Sequence, residues 1–384
     1  MLKAVRAGMH VRQAADEFGF SKSVVAFWVG RARGKRLDRA DLANRKPGRA
    51  WNRTTFEVEQ RIAELRLELR KSVLGEFGAK AIAAALEAEM DRRPAEATIN
   101  RALSRLGLQD GVRRMRQPAP PKGWYLPAVL AGRAELDCFD FIEDLKIADA
   151  DGPLVDVLTA KSLHGSLTDA WVLKPKSAKG TIPCLLERWQ RDGLPTYAQF
   201  DNDNVFQGAH QVANVVGAIS RLCLQLKVIP VFAPPLEHGM QNTIESFNAL
   251  WQAKVWQRYR VANVNELQMR SDQYIAAHRA RTQPLAEAAP ARRALSEGFQ
   301  FDPNAPLRGQ LVYVRRTDEG GQVNILGQRF AVSHTWLHRL VRCHVDFDHH
   351  CIRCSALRRR APAEQPLLIT IPYHWFGKRF RGNL

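Results

Sequence analysis
The sequence predicts an α/β core on a mixed five-stranded sheet, preceded by all-α helix-turn-helix domains and followed by a small β-barrel. Three observations lead there. The hydrophobic period is helical as far as residue 112, strand-like from Ala134, alternately helical and strand-like to residue 285, and again that of short strands beyond Pro290. The net charge of +18 is uneven: +11 over residues 1–118, +1 over 119–296 and +6 over 297–384. Basic modules flanking a near-neutral centre imply termini that neutralise phosphates and a centre whose carboxylates serve another purpose. The stretch "RRMRQPAPPKGWYLP" closes the first basic region with prolines that mark a boundary. The division expected is a helix-turn-helix domain (1–36), a basic linker (37–53), a second helix-turn-helix-like domain (54–112), a linker (113–130), the core (131–285) and the barrel (286–384).

Within 10–33, "HVRQAADEFGFSKSVVAFWVGRAR", Ala14 and Ala15 permit close helix packing and Gly19 supplies a turn. Ser21 can cap a second helix whose buried face is Val24, Val25 and Trp28. If that helix enters a major groove, Ser21, Lys22 and Ser23 face bases or phosphates, with Arg31 and Arg33 near the backbone. Phe56, Val58, Ile62, Leu65 and Leu69 then recur at helical spacing. The segment "AEATINRALSRLGL" has the form of another recognition helix, with Thr98, Asn100, Arg101 and Arg105 outward and Ile99, Leu103 and Leu106 inward. An ordinary packing helix fits both patterns as well.

In the centre, "AELDCFDFI", "LVDVLTA" and "TDAWVL" read as three strands, followed by helix, strand "YAQFD", helix, strand "VIPVF" and a long amphipathic helix from Thr243. Carboxylates gather on these elements: Asp137 and Asp140 on the first strand, Asp201 and Asp203 after the fourth, and Glu237 and Glu245 further on. Three carboxylates converging from separate elements are what a two-metal phosphoryl-transfer site needs, because their charge holds two divalent ions ~3.5–4 Å apart. Asp137 and Asp140 have opposite parity on one strand, so only one of them shares a face with Asp201. Ile244, Phe247, Trp251 and Val255 form a buried helical stripe with Glu245 at its edge beside Asn248.

The segments "ELDCFDFIEDLKI", "VLTAKSLHGSLTDAW", "GLPTYAQFDNDNVFQGAH", "CLQLKVIPVFAPP" and "GMQNTIESFNALWQAKVWQRY" resemble the catalytic core of retroviral-integrase-like DDE transposases of bacterial insertion sequences, over residues 130–280. The resemblance implies a ribonuclease H-like fold and two Mg²⁺ or Mn²⁺ ions per active site. It also implies cutting at the ends of an element and joining of the freed 3′-hydroxyls to target DNA. Asp201 matches the second acidic position. Glu245 matches the third and is preferred on its helical placement to Glu237, which 35 residues (202–236) separate from Asp201 and which lies in a proline-rich loop. The first position stays between Asp140, preferred, and Asp137. Asp203 departs from the pattern, standing where the family often has glycine.

Secondary expectations complete the picture. His164 and His210 could steer phosphate or water, and Lys254, Arg258, Lys174, Lys176 and Lys179 could hold DNA, against solvated or structural roles for each. Beyond Pro290, basic residues on short strands, Arg315, Arg316, Arg358, Arg359 and Arg360, would contact the DNA backbone. Six cysteines in 384 residues make no disulfide framework and are expected reduced. Of the cluster Cys343, His344, His349, His350, Cys351 and Cys354, strand alternation argues against zinc. No run reaches the ~18–20 apolar residues of a membrane span and no signal-peptide core opens the sequence, so a cytoplasmic protein without a membrane partner is expected. The function expected is transposition, with element ends and target duplex as partners and a homodimer or higher synaptic oligomer as the working form. A catalytically inactive DNA-binding regulator derived from a transposase is the alternative.

Overall fold
The computed structural model describes residues 1–40, 42, 54–109, 121–147, 152–209, 212–234, 239–376 and 380. The chain divides into two compact units, Met1–Ile62 and Ala63–Leu384. In the first, α1 (Leu2–Arg6), α2 (Val11–Phe18) and α3 (Lys22–Ala32) pack around Ala14, Ala15 and Val25. Gly19 closes α2 at φ +67, a left-handed conformation that disfavours a side chain, and Ser21 accepts a capping bond from the Val24 amide at 3.4 Å. The inward face differs from expectation at Val24, which is 39% exposed. The buried positions of α3 are Val25 and Ala32, two turns apart, so the stripe is displaced by one residue.

The helix α4 (Phe56–Lys71) begins in the first unit and ends in the second, where α5 (Ala79–Glu89) and α6 (Glu96–Arg105) follow. On α6, Ile99, Ala102 and Leu103 are buried, whereas Leu106 lies just past the helix end and is exposed. Most of the expected linkers falls outside the described residues. The described part of the second, from residue 121, is not linker-like: Trp124, Tyr125, Leu126 and Val129 are buried, the last on α7 (Pro127–Leu130).

The sheet begins with three antiparallel strands, β1 (Leu136–Lys146), β2 (Leu154–Ser162) and β3 (Thr168–Leu173). Next come α8 (Ala178–Asp192), β4 (Tyr197–Phe200), α9 (Asn204–Gln207), α10 (Ala218–Gln225), β5 (Ile229–Phe232), α11 (Asn242–Trp251) running into a π-helix (Gln252–Trp256), and α12 (Val264–Glu287). The strands β4 and β5 add parallel to the other edge of β1. One face of the sheet buries Phe139 and Phe200 with Trp189 of α8 and Leu222 of α10. The other buries Cys138 and Ile142 with Phe247 and Trp251 of α11 and Tyr274 of α12. Burial on both faces is what helices on both sides of a mixed sheet require.

The last strands are β6 (Gln310–Arg316), β7 (Gln322–Ile325), β8 (Gln328–Ala331), β9 (Leu340–Asp346), β10 (Cys351–Ala356) and β11 (Leu367–Pro372). Here the structure differs from the expected separate β-barrel. The strand β6 pairs in parallel with β5, Val231 opposite Val312 and Phe232 opposite Tyr313, giving one nine-stranded sheet in the order β11-β10-β9-β6-β5-β4-β1-β2-β3. The reason is in β6 itself. Leu311, Val312, Tyr313 and Val314 are all buried, and a strand covered on both faces belongs to a sheet interior, with a neighbour on each edge. No helix among the described residues is long and apolar enough to cross a membrane.

Candidate active site
Three elements bring carboxylates to one end of the sheet. In the parallel β1–β4 pair, Asp137 lies opposite Ala198 and Cys138 opposite Gln199. Continued by two residues, that register sets Asp140 beside Asp201, the residue after β4 ends, with both on one face and their strands ~4.8 Å apart. The third element is α11. Its Asn248 donates from Nδ2 to Asp140 Oδ2 at 2.8 Å, and Thr159, opposite Asp140 on β2, lies with Oγ1 2.6 Å from Asn248 Oδ1. Glu245 is exposed one turn before Asn248, in the first turn of α11. The buried stripe of Ile244, Phe247, Trp251 and Val255 docks the helix and leaves Glu245 at the edge.

The electrostatics record the convergence. Burial, the charge of Asp201, and then those of Glu245 and Glu143 push the Asp140 carboxyl up to about 7, against a lowering bond from the Phe141 amide at 2.9 Å. The Asp201 carboxyl is also raised, first by burial and then by the Asp203 charge, while the Asp203 amide, 2.9 Å from Oδ1, and Lys176 oppose the rise. Asp203 caps α9 through the Val205 amide at 2.7 Å and pairs at 2.6 Å with Lys176, which also bonds Glu143 at 2.7 Å. Lys176 is therefore engaged by two carboxylates beside the site.

Among the described residues no group of three or more His, Cys, Asp or Glu side chains stands arranged to hold a metal ion. The donor set nevertheless has the right chemistry. Asp140, Asp201 and Glu245 supply hard oxygens, and a divalent cation would offset the burial and like charge that raise Asp140. Asp140 directs both oxygens at N–H groups, those of Phe141 and Asn248.

Asp137 is corrected to a structural role. It faces the opposite side of β1, fully buried, with Arg188 Nε at 3.0 Å, Arg292 Nη2 at 2.7 Å and Trp189 Nε1 at 3.3 Å. Burial alone would raise its carboxyl, but the Arg188 and Arg292 charges hold it well below the usual carboxylate range. Lys254 and Arg258 bond to the protein itself. Lys254 Nζ donates to Gly75 O at 2.7 Å, and Arg258 donates to Ser72 O at 2.9 Å and Lys71 O at 3.2 Å, capping the carboxyl end of α4. Arg315 is 9% exposed, and its guanidinium bonds protein oxygens at the sheet end.

Of the remaining candidates, Arg316 is exposed with Nη1 donating to His338 O, and Arg358 pairs with Glu364 at 2.8 Å. Arg359, Arg360, Lys174 and Lys179 are exposed. Lys22, Ser23 and Arg33 on α3 or its end, and Arg101 and Arg105 on α6, are exposed, whereas Arg31 is half-buried with its guanidinium over the Trp28 ring at 5.3 Å. Ser21 is used as a cap, and Arg101 Nε bonds back to Ala97 O at 3.2 Å. His164 Nε2 is 3.0 Å from Val129 O and holds a loop. Glu237 and His210 lie outside the described residues. All six cysteines are free, and Cys343 and Cys354 face one another across β9 and β10. Sequence reasoning missed the part of Thr159 and Glu143, and named Asn248 only as a neighbour. Its spacing of one turn from Glu245 was the available signal.

No protein-family model matches the chain, and no curated protein matches it in sequence. Among solved structures, the chain is similar to one in the cryoEM structure of the simian T-cell lymphotropic virus intasome in complex with PP2A regulatory subunit B56 gamma. The identity is 11%, the TM-score 0.34, and the match covers 68% of this chain and 87% of that one. A likeness of that size carries no argument about function.

Proposed function
We propose that the protein is a DNA transposase of the retroviral-integrase-like DDE type, with a ribonuclease H-like core that cuts the ends of an insertion sequence and joins them to target DNA. The observation that carries this reading is that Asp140 on β1 is set by register beside Asp201 after β4, is bonded by Asn248 of α11, and feels the charges of Asp201 and Glu245. The three carboxylates would hold Mg²⁺ or Mn²⁺, which supplies charge stabilisation to the attacked phosphodiester. Asn248 and Thr159 orient Asp140, and the Asp203 amide orients Asp201. The basic surfaces of α3 and α6 grip the element ends, and a dimer or larger assembly brings two ends together. The strand order β3-β2-β1-β4-β5, three antiparallel strands followed by two parallel ones, supports the fold assignment.

A second reading, an inactive DNA-binding regulator on the same scaffold, is favoured by the fact that both Asp140 oxygens already meet protein N–H groups. Incubating the protein with labelled DNA from the flanks of its gene, plain target duplex and Mg²⁺ separates the two. A transposase yields joined products that disappear in Asp201→Ala with DNA binding retained. A regulator shifts the DNA and joins nothing.

A further inference from the structure
The turn that presents Asp201 is held from outside its own strand. Asn202, the next residue, uses both ends of its carboxamide. Nδ2 donates to Ala233 O at 2.6 Å, just past β5, and Oδ1 accepts from Arg315 Nη2 at 2.9 Å. Arg315 comes from β6. Its remaining N–H groups reach Val314 O at 2.8 Å, Ala233 O at 3.2 Å, Phe232 O at 3.4 Å and Asn324 O at 3.3 Å. Because β4, β5 and β6 run parallel, one guanidinium spans the carboxyl ends of all three.

All five oxygens that Arg315 meets are neutral. A buried cation without a counter-charge costs stability, and an apolar residue of similar size would avoid that cost. What the guanidinium offers in return is a rigid fork of fixed donors, which a lysine lacks. The fork lies against the side chain next to Asp201, and the Asp201 carboxylate is in turn fixed by the amide one residue further on. Arg315 thus reaches the residue beside Asp201 from 113 positions along the chain.

We propose that Arg315 is a positioning residue for Asp201: by clamping Asn202 it sets the direction of the neighbouring carboxylate, so that the strands after residue 286 form part of the site. The inference rests on the reading of Asp201 as a metal-holding carboxylate. Mn²⁺ binding to the full chain, followed by electron paramagnetic resonance without DNA, tests it, with thermal unfolding measured on every variant. Asp201→Asn should abolish tight binding. Arg315→Lys and Asn202→Ala should each weaken it by ~10–100-fold, as loss of a group orienting a ligand does. The double variant should bind no worse than the weaker single one, because the two changes break a single linkage. If either single variant unfolds like the wild type and binds Mn²⁺ as tightly, or if the two effects add, the proposal is overturned. Should Arg315→Lys not fold, Asn202→Ala alone decides. Unchanged binding in Asp201→Asn overturns the reading of Asp201 itself, and the positioning role with it, without involving any Arg315 variant.

Discussion

On one face of β1, Asp137 is enclosed by the guanidinium groups of Arg188 and Arg292. On the other, Asp140 meets the charges of Asp201 and Glu245 and the neutral amide of Asn248. Both carboxyls are largely removed from water, yet one is driven down and the other up. The difference teaches that burial alone does not mark a reactive carboxylate. The sign of the surrounding charge separates one held in its charged form by the fold from one pushed towards its neutral form.

The comparison is broken most forcefully at Asp137. Asp137→Asn takes from Arg292 its carboxylate and leaves Arg188 with Asp169 as its remaining close counter-charge, and should cost about 3–5 kcal/mol, the usual penalty for removing one partner of a buried pair. Urea unfolding measures it, and a loss below about 1 kcal/mol would remove the structural role given to this residue. A smaller effect belongs to Arg258→Ala, which uncaps the carboxyl end of α4. It should lower stability by about 1 kcal/mol and leave DNA affinity and its salt dependence unchanged. A reduced salt slope would return Arg258 to the DNA surface.

Asp140→Asn should have the smallest effect on stability and remove Mg²⁺-dependent strand joining altogether. With a native pKa of about 7 against 3.8 in a free side chain, the native state keeps a proton that the unfolded chain releases. That contribution is complete below pH about 4 and is lost as pH rises through about 7. Wild type should therefore lose unfolding temperature relative to Asp140→Asn across that window and run parallel to it above. The stabilisation that Mg²⁺ gives the wild type should grow over the same range, since a cation competes with the proton for the same oxygens. A wild-type-minus-variant difference that stays flat from pH 4 to 8 would contradict the raised carboxyl.

Legibility in the sequence tracks the range of the interactions involved. The strand period separated Asp137 from Asp140, and helical phase put Glu245 at the edge of its buried stripe, because both are properties of a few consecutive residues. Which face of β1 carries cations was not legible, since Arg188 and Arg292 reach Asp137 from 51 and 155 positions away. Charge patterning likewise cannot say whether an arginine meets phosphate or a carbonyl, and so Arg258 and Arg315 were both assigned outward. The run "LVYV" in β6 is buried throughout. Its partner β5 lies beyond α12, and pairing at that distance leaves no local trace.

That pairing has a consequence for how the chain is made. While the ribosome has delivered the polypeptide only as far as α12, β5 has a partner along β4 and an open hydrogen-bonding edge on its other side. An unpaired, apolar interior strand is a template for wrong partners, including the same strand of a neighbouring nascent chain. Until β6 emerges, that edge is open to such partners.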